Sequence, residues 1–375
     1  MPNHAHAMLQ EIFEQPDALR RVLAHYCDAD KLRADTWQPI GENFPISAPI
    51  VIAASGSSRH SGLAAEVMLE EIVAATVDVE YASEYATRTQ ISSSACSLIT
   101  LSQSGETSDT LAAMRLARSR GLRTLAITNQ AHSTLATEAS MALPLVAGPE
   151  VAIPATKSVL CQLIVLYLLS LHLAQQKQTL TSVQIAARIN ELHAVPDQLA
   201  SQLNSWHTSI DAIAARYQDA RTFLYLGRGI HYAIAREGAL KLKESAYLHA
   251  EAYPSGELRH GPNALVSDAV PLVVLATVDP VMEDSVLRYR KTLQTLENLR
   301  AQNARVIAIA NQNDNIVRSL VHDCIFVQPL SEFLLPTAEL IPLQFFAYHM
   351  ALQRGIDMDH PRHLQKAVIE RGDLQ

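Results

Sequence analysis

Short apolar runs alternate along this chain with longer stretches whose apolar residues recur at helical spacing. Pro49–Ala54 reads as a strand that turns at Ser55-Gly56-Ser57-Ser58 into a helix running to about Ala74. Val77–Tyr81, Leu98–Leu101 and Thr124–Thr128 read as further strands, with a helix over Leu111–Ala117. This alternation predicts a parallel sheet covered on both faces. Ahead of it, Met8–Tyr26 reads as one amphipathic helix interrupted at Pro16, and the strand-turn-helix pattern starts after Pro45. A second copy follows. Phe223–Gly229 repeats the strand and glycine turn, a helix runs from Ile230 to about Tyr247, Leu272–Leu275 matches Leu98–Leu101, and Val306–Ile309 matches the strand around Leu125. Gly56 pairs with Gly227, His60 with His231 and Glu66 with Glu237, each 171 positions on, which marks an internal duplication of an α/β unit. The span from about Leu180 to Arg216 is expected to bridge the two lobes. Val159–Ala174 is the most apolar stretch; broken by Gln162, Ser170 and His172 and short for a bilayer, it reads as a buried core helix.

Composition narrows the class. A length of 375 residues suggests two domains of ordinary size, and 48% apolar with 18% charged residues fits a globular protein. A net charge of −8 argues against a nucleic-acid-binding surface. Cys27, Cys96, Cys161 and Cys324 are scattered without metal-ligand spacing and read as small core residues of a reducing, cytoplasmic compartment. No charged-then-apolar leader is evident, so no secretory signal or membrane anchor is expected. His4 and His6 are expected in a frayed terminus without a role.

Chemistry concentrates in three places. Leu101-Ser102-Gln103-Ser104-Gly105-Glu106-Thr107-Ser108-Asp109-Thr110 crowds hydroxyls, an amide and a glycine onto a strand-to-helix turn with no Lys or Arg. Backbone N–H groups at a helix N-terminus favour an anion there, so the loop reads either as a phosphate cradle or as simple helix capping. The second copy has Ala276-Thr277-Val278-Asp279-Pro280 at the matching place, without that chemistry. Lys241 and Glu244 share a helix face at i,i+3, either as an acid/base pair or as a surface ion pair. His260 lies in a loop closed by Gly261-Pro262, where it is a candidate acid/base. Lys366 near the chain's end reads from spacing alone as a solvated residue.

These residues carry a resemblance. Ser102–Thr107, Glu237-Gly-Ala-Leu-Lys-Leu-Lys-Glu244, His249-Ala-Glu-Ala-Tyr253, Gly256-Glu-Leu-Arg-His-Gly-Pro262 and the tail around Pro361-Arg362 and Lys366 resemble the sugar isomerase (SIS) domain family, in particular the isomerase half of glucosamine-6-phosphate synthases. The likeness runs from Glu11-Ile-Phe-Glu-Gln-Pro16 to about Val368. It implies two tandem SIS domains, each a flavodoxin-like doubly wound α/β sheet, with an N-terminal helical segment at 1–40, a phosphate-binding domain at 41–190, a catalytic domain at 191–345 and a tail at 346–375. It further implies that Ser57, Ser58, Ser102, Gln103, Ser104 and Thr107 hold a sugar phosphate, and that Ile153 and Ala155 contact the sugar. Glu244 would move a proton between C1 and C2, with Lys241 assisting at O1 and O2. His260 would open the sugar ring from across a homodimer interface. Lys366 would meet the open-chain ketose, as a Schiff base in one reading. No metal or organic cofactor is implied.

Two departures direct the functional expectation. Residues 1–40 hold nothing able to hydrolyse glutamine, so no counterpart of the synthases' preceding glutaminase domain is expected. In Gly148-Pro-Glu-Val-Ala-Ile-Pro-Ala-Thr-Lys157, Ala155 stands where synthases usually place a sugar-contacting serine, and the loop looks like that of stand-alone, deaminase-type relatives. Residues Ile369–Gln375 also extend the tail past its usual end. The expected activity is conversion of glucosamine 6-phosphate to fructose 6-phosphate and ammonia through an enolamine. The alternatives are a synthase-like subunit fed by a separate glutaminase, a fructosamine-phosphate deglycase, and a non-catalytic sugar-phosphate sensor.

Overall fold

A computed structural model describes residues 6–44, 48–88 and 96–366. His4, Pro45, Val368 and the extension from Ile369 to Gln375 lie outside the described residues. The chain divides into two compact units: a front unit of residues 14–150, 157–196 and 365–375, and a rear unit of 1–13, 151–156 and 197–364. Both contain a five-stranded, wholly parallel sheet.

In the front unit the strands are β1 (Ile50–Ala54), β2 (Val77–Tyr81), β3 (Ser97–Ser102), β4 (Arg123–Thr128) and β5 (Met141–Pro144), in the order β2-β1-β3-β4-β5. In the rear unit β6 (Thr222–Gly227), β7 (His249–Pro254), β8 (Leu272–Ala276), β9 (Val306–Asn311) and β10 (Asp323–Val327) take the order β7-β6-β8-β9-β10. These are the same order, the flavodoxin-like one, in which ligands gather beyond the carboxyl ends of the strands. The central strands β3 and β8 are buried at every position, as strands covered on both faces must be, and their near-continuous apolar runs made them visible in the sequence.

The duplication is real, but its register differs at the first turn. The helix after β1, Gly56–Val73, opens on Gly56 at φ +54°, and the helix after β6, Ile230–Ala246, opens behind Gly229 at φ +53°. Gly56 therefore corresponds to Gly229, 173 positions on, and not to Gly227. His231 consequently corresponds to Ser58, two residues past the turn in each lobe, and the His60–His231 pairing is a coincidence of spacing. Gly227 is glycine for a separate reason: a Cβ there would lie 2.4 Å from the carbonyl oxygen of His231.

The single helix expected over Met8–Tyr26 is two, Ala7–Phe13 and Gln15–Tyr26. Pro16 does not interrupt a helix; it sits in the first turn of the second, where its missing N–H costs no hydrogen bond. His6 is not idle: its Nδ1 lies 3.0 Å from the Tyr348 hydroxyl within the rear unit. The apolar stretch around Val159 becomes a helix of 21 residues, Lys157–Lys177, long and apolar enough to cross a membrane by length and composition, yet 94% of its most apolar window is buried inside the protein. The helix Ser182–Arg216 runs unbroken through Pro196, after which its residues pass from the front unit to the rear.

Candidate active site

The hydroxyls of the loop after β3 bond within the loop itself. Thr107 is the N-cap of the helix Ser108–Ser119, but its side chain makes no capping hydrogen bond. Its hydroxyl lies 3.0 Å from Ser102 Oγ, which also accepts the Gly105 N–H at 3.0 Å. Ser104 Oγ accepts the Glu106 N–H at 3.1 Å. Pure capping therefore does not account for these hydroxyls, and the amides of the helix's first turn keep the polarity that attracts an anion. The loop's outer side is anchored: Glu106 Oε1 accepts the Thr134 N–H at 2.7 Å, Gly105 O accepts Leu135 N–H at 3.0 Å, and Gln103 O accepts Asn129 N–H at 3.2 Å. Gly105 has φ +69°, and a Cβ there would sit 2.0 Å from Ser133 Oγ, so only glycine permits this turn.

Ser57 and Ser58 lie in the first turn of Gly56–Val73, at the end of the neighbouring strand. Ser58 Oγ accepts a hydrogen bond at 2.9 Å from Gln162 Nε2, on the second turn of Lys157–Lys177. Also in the front unit, Lys366 donates to Glu150 Oε2 at 2.9 Å. Glu150 is buried and is itself held by the N–H of Ser158 at 3.0 Å and its hydroxyl at 2.7 Å. The lysine expected to be solvated thus has a fixed carboxylate partner that the sequence reading did not identify. Ile153 and Ala155 belong to a half-buried segment of the rear unit. Glu11 shapes that segment by accepting from Val151 N–H at 2.5 Å, Ala152 N–H at 3.1 Å and Thr156 Oγ1 at 3.2 Å.

On Ile230–Ala246, Lys241 is fully buried and donates to Glu244 Oε2 at 2.5 Å, with Glu237 Oε1 at 3.4 Å on its other side. The surface-pair reading fails for Lys241, because a buried ammonium is tolerated only where carboxylates compensate it. The sequence marks Glu237 as part of the repeat and of the family motif without a role; its i−4 spacing to Lys241 is the signal for this second one. Glu244 is different, with 22% of its side chain exposed. It borders a cavity of about 460 Å³ together with Leu240, Tyr247, His249, Arg362 and His363. A carboxylate that reaches an open cavity while hydrogen-bonded to a buried ammonium can take up and return a proton beside a fixed positive charge. The Tyr247 hydroxyl accepts the Arg362 N–H at 2.8 Å and its ring carries the Arg362 guanidinium at 4.3 Å, which docks the start of the tail beside this cavity. His260 ends a short 3₁₀ turn, Glu257–His260, exposed and without a hydrogen bond or ion pair to any described residue.

The rear unit's first turn, the counterpart of the one that carries Ser57 and Ser58, is occupied from within. His231 Nδ1 lies 2.7 Å from Glu339 Oε1 and Nε2 3.3 Å from Glu332 Oε1. Glu332 also pairs with Arg288 at 2.8 Å and accepts from Ser285, while Thr277 donates to Glu339. Burial opposes the imidazolium, but the two carboxylates outweigh it and hold His231 up to about 10. Burial likewise opposes the Glu332 carboxylate, and the His231, Ser285 and Arg288 contacts overcome it and bring Glu332 down to about 2.

Comparison with known proteins supplies the remaining context. The SIS domain family model matches residues 47–172 and 216–354. Glutamine–fructose-6-phosphate aminotransferase (isomerizing) of Chlorobaculum tepidum is 40% identical over 365 residues, covering 97% of this chain and 58% of that protein. The chain thus spans less than two thirds of the length of the curated relatives it matches. The C-terminal domain of glucosamine-fructose-6-phosphate aminotransferase from Francisella tularensis superposes with a TM-score of 0.89 at 33% identity, over 96% of this chain and 99% of that one. Glucosamine-6-phosphate deaminase from Thermotoga maritima shares the fold with a TM-score of 0.70 at 22% identity, over 97% of this chain and 100% of that one.

Proposed function

Because the chain belongs to the SIS domain family, we propose that it is an amino-sugar phosphate isomerase that converts glucosamine 6-phosphate and water to fructose 6-phosphate and ammonia. The observation that carries this reading is the buried Glu237–Lys241–Glu244 run with one carboxylate open to a cavity. The hydroxyl-lined loop Ser102–Thr107, with Ser57 and Ser58, would hold the ester. His260, exposed and unengaged, would open the ring, supplied from the partner in a homodimer. Glu244 would remove the C2 proton of the open-chain aldehyde to give an enolamine, and return a proton to C1. The product is the C2 imine of the ketose, which water hydrolyses to the ketone and ammonia. Lys241, held between Glu237 and Glu244, would offset the negative charge that grows on O1 as the enolamine forms. Lys366, poised on Glu150, would meet the ketose carbonyl.

The same groups run the reaction backwards with free ammonia, and the relatives named aminotransferases favour that direction as a second reading. Incubation with glucosamine 6-phosphate, with ammonia and ketose quantified together, separates the two. Stoichiometric release of both supports the deaminase. A folded protein that isomerises or binds the phosphosugar without releasing ammonia refutes it.

A further inference from the structure

Arg228 stands between Gly227 and Gly229 at the carboxyl end of β6, with its Nε buried and unbonded. Its guanidinium lies 3.4 Å from where a side chain at Gly256 would begin. Burial and then the like charge of Arg259 lower its pKa. Neither arginine has a carboxylate partner among the described residues. Beside them Ser255 is 1% exposed, and its hydroxyl has no hydrogen-bond partner. Ser255 and Arg259 line a cavity of about 430 Å³ with Asn263, Thr295, Asn298 and Gln302, over an apolar floor of Leu258 and Leu299. No carboxylate lines it. The helix Glu283–Ala301 ends at its wall, but the carbonyls of Asn298, Leu299 and Arg300 are already taken by the N–H groups of Gln302, Asn303 and Ala304. The cavity therefore offers guanidinium, hydroxyl and amide donors, with no carboxylate in its lining to repel an anion.

We propose that this cavity is a second anion site, taking the phosphate group of a small phosphorylated metabolite. A forked guanidinium suits phosphate oxygens, and the volume suits a ligand of sugar-phosphate size. The proposal does not rest on the reaction assigned above, since all these residues belong to the rear unit while the Ser102–Thr107 loop belongs to the front unit.

The test uses the full chain carrying Ser104→Ala and Thr107→Val, which weakens the front loop. Inorganic phosphate is titrated by calorimetry and thermal shift, against chloride at equal ionic strength. Phosphate is expected to bind and raise the melting temperature in this background. Adding Arg259→Gln should weaken it at least tenfold, and Ser255→Ala several-fold; the latter removes only an unbonded hydroxyl and so should fold normally. Repeating the titration with glucosamine 6-phosphate identifies the source: tighter binding than phosphate assigns a metabolite, equal binding assigns free phosphate. No phosphate-dependent shift in the background protein, or titrations unchanged by both added substitutions, overturns the site.

Discussion

Replacing His231 with glutamine removes the cation shared by two buried carboxylates. Glu332 keeps Arg288 and Ser285, but Glu339, fully buried, keeps only the Thr277 hydroxyl among the described residues. Removing one member of a buried pair typically costs about 3–5 kcal/mol. The protonation balance agrees in scale, since an imidazole held at about 10 against 6.5 when free corresponds to at most about 5 kcal/mol. For a unit of this size that is a fall in melting temperature on the order of 10 °C. The pH dependence has a definite sign. His231 is raised in the folded state, so its contribution is complete below about pH 6.5 and fades as the pH climbs toward 10. Scanning calorimetry from pH 6 to 10.5 should show the rear-unit transition of the wild type falling through that window. His231→Gln should start lower at pH 6.5 and lack that component of the slope. With two units present, more than one transition is expected, and only the rear unit's should respond. The double variant His231→Gln/Glu339→Gln should recover part of the loss, because a neutral amide replaces the stranded charge. Wild type and His231→Gln running parallel from pH 7 to 10, or melting together at pH 6.5, would refute the reasoning.

Three further outcomes follow from the site. Glu244→Gln should lower kcat by about 10²–10⁴-fold while phosphosugar affinity by calorimetry stays within a few-fold, since the hydrogen-bonding shape survives but the base does not. Gly105→Ala places a Cβ 2.0 Å from Ser133 Oγ at φ +69° and disturbs the Ser133 cap on Ala136 N–H. The backbone strain and weakened cap together cost about 2–3 kcal/mol, read as a lower melting temperature, with a raised KM for every phosphorylated substrate. Glu150→Gln should weaken the hold on Lys366 without touching the Ser102–Thr107 loop, so the measured sign is a fall in kcat with phosphate affinity unchanged; a proportional loss of both would make Glu150 merely structural.

The legibility of the chain divides along a physical line. Strands such as Leu98–Leu101 and Leu272–Leu275 were readable because burial on both faces demands continuous apolar residues, and that demand is local. The loop at Ser102–Thr107 stands out in the sequence because its hydroxyls, an amide and a glycine fall within one short turn. What was not readable depends on partners far along the chain. Glu150 meets Lys366 across 216 positions, and Gln162 meets Ser58 across 104. His231 was matched to His60 because spacing alone cannot say which glycine carries the positive φ. With the register set by Gly56 and Gly229, the two lobes become comparable atom for atom. In the front lobe a serine two residues past the turn meets a neutral glutamine from the long buried helix that follows the fifth strand. In the rear lobe a histidine at that position meets a glutamate from the corresponding helix, Leu335–Gln353. Thr277, just past β8, ties in to that glutamate, whereas the Gln103 side chain makes no hydrogen bond among the described residues. One fold thus presents two versions of the same crevice. The front version is built of small neutral groups, and the charged version pairs its charges within the unit. Had the rear crevice been selected only for packing, apolar residues of similar volume would have filled it at lower desolvation cost. Its ion pairs join the first turn of the helix bearing Lys241 and Glu244 to the helix Leu335–Gln353, so loss of the network should be felt as misplacement of that acid/base run as well as in stability.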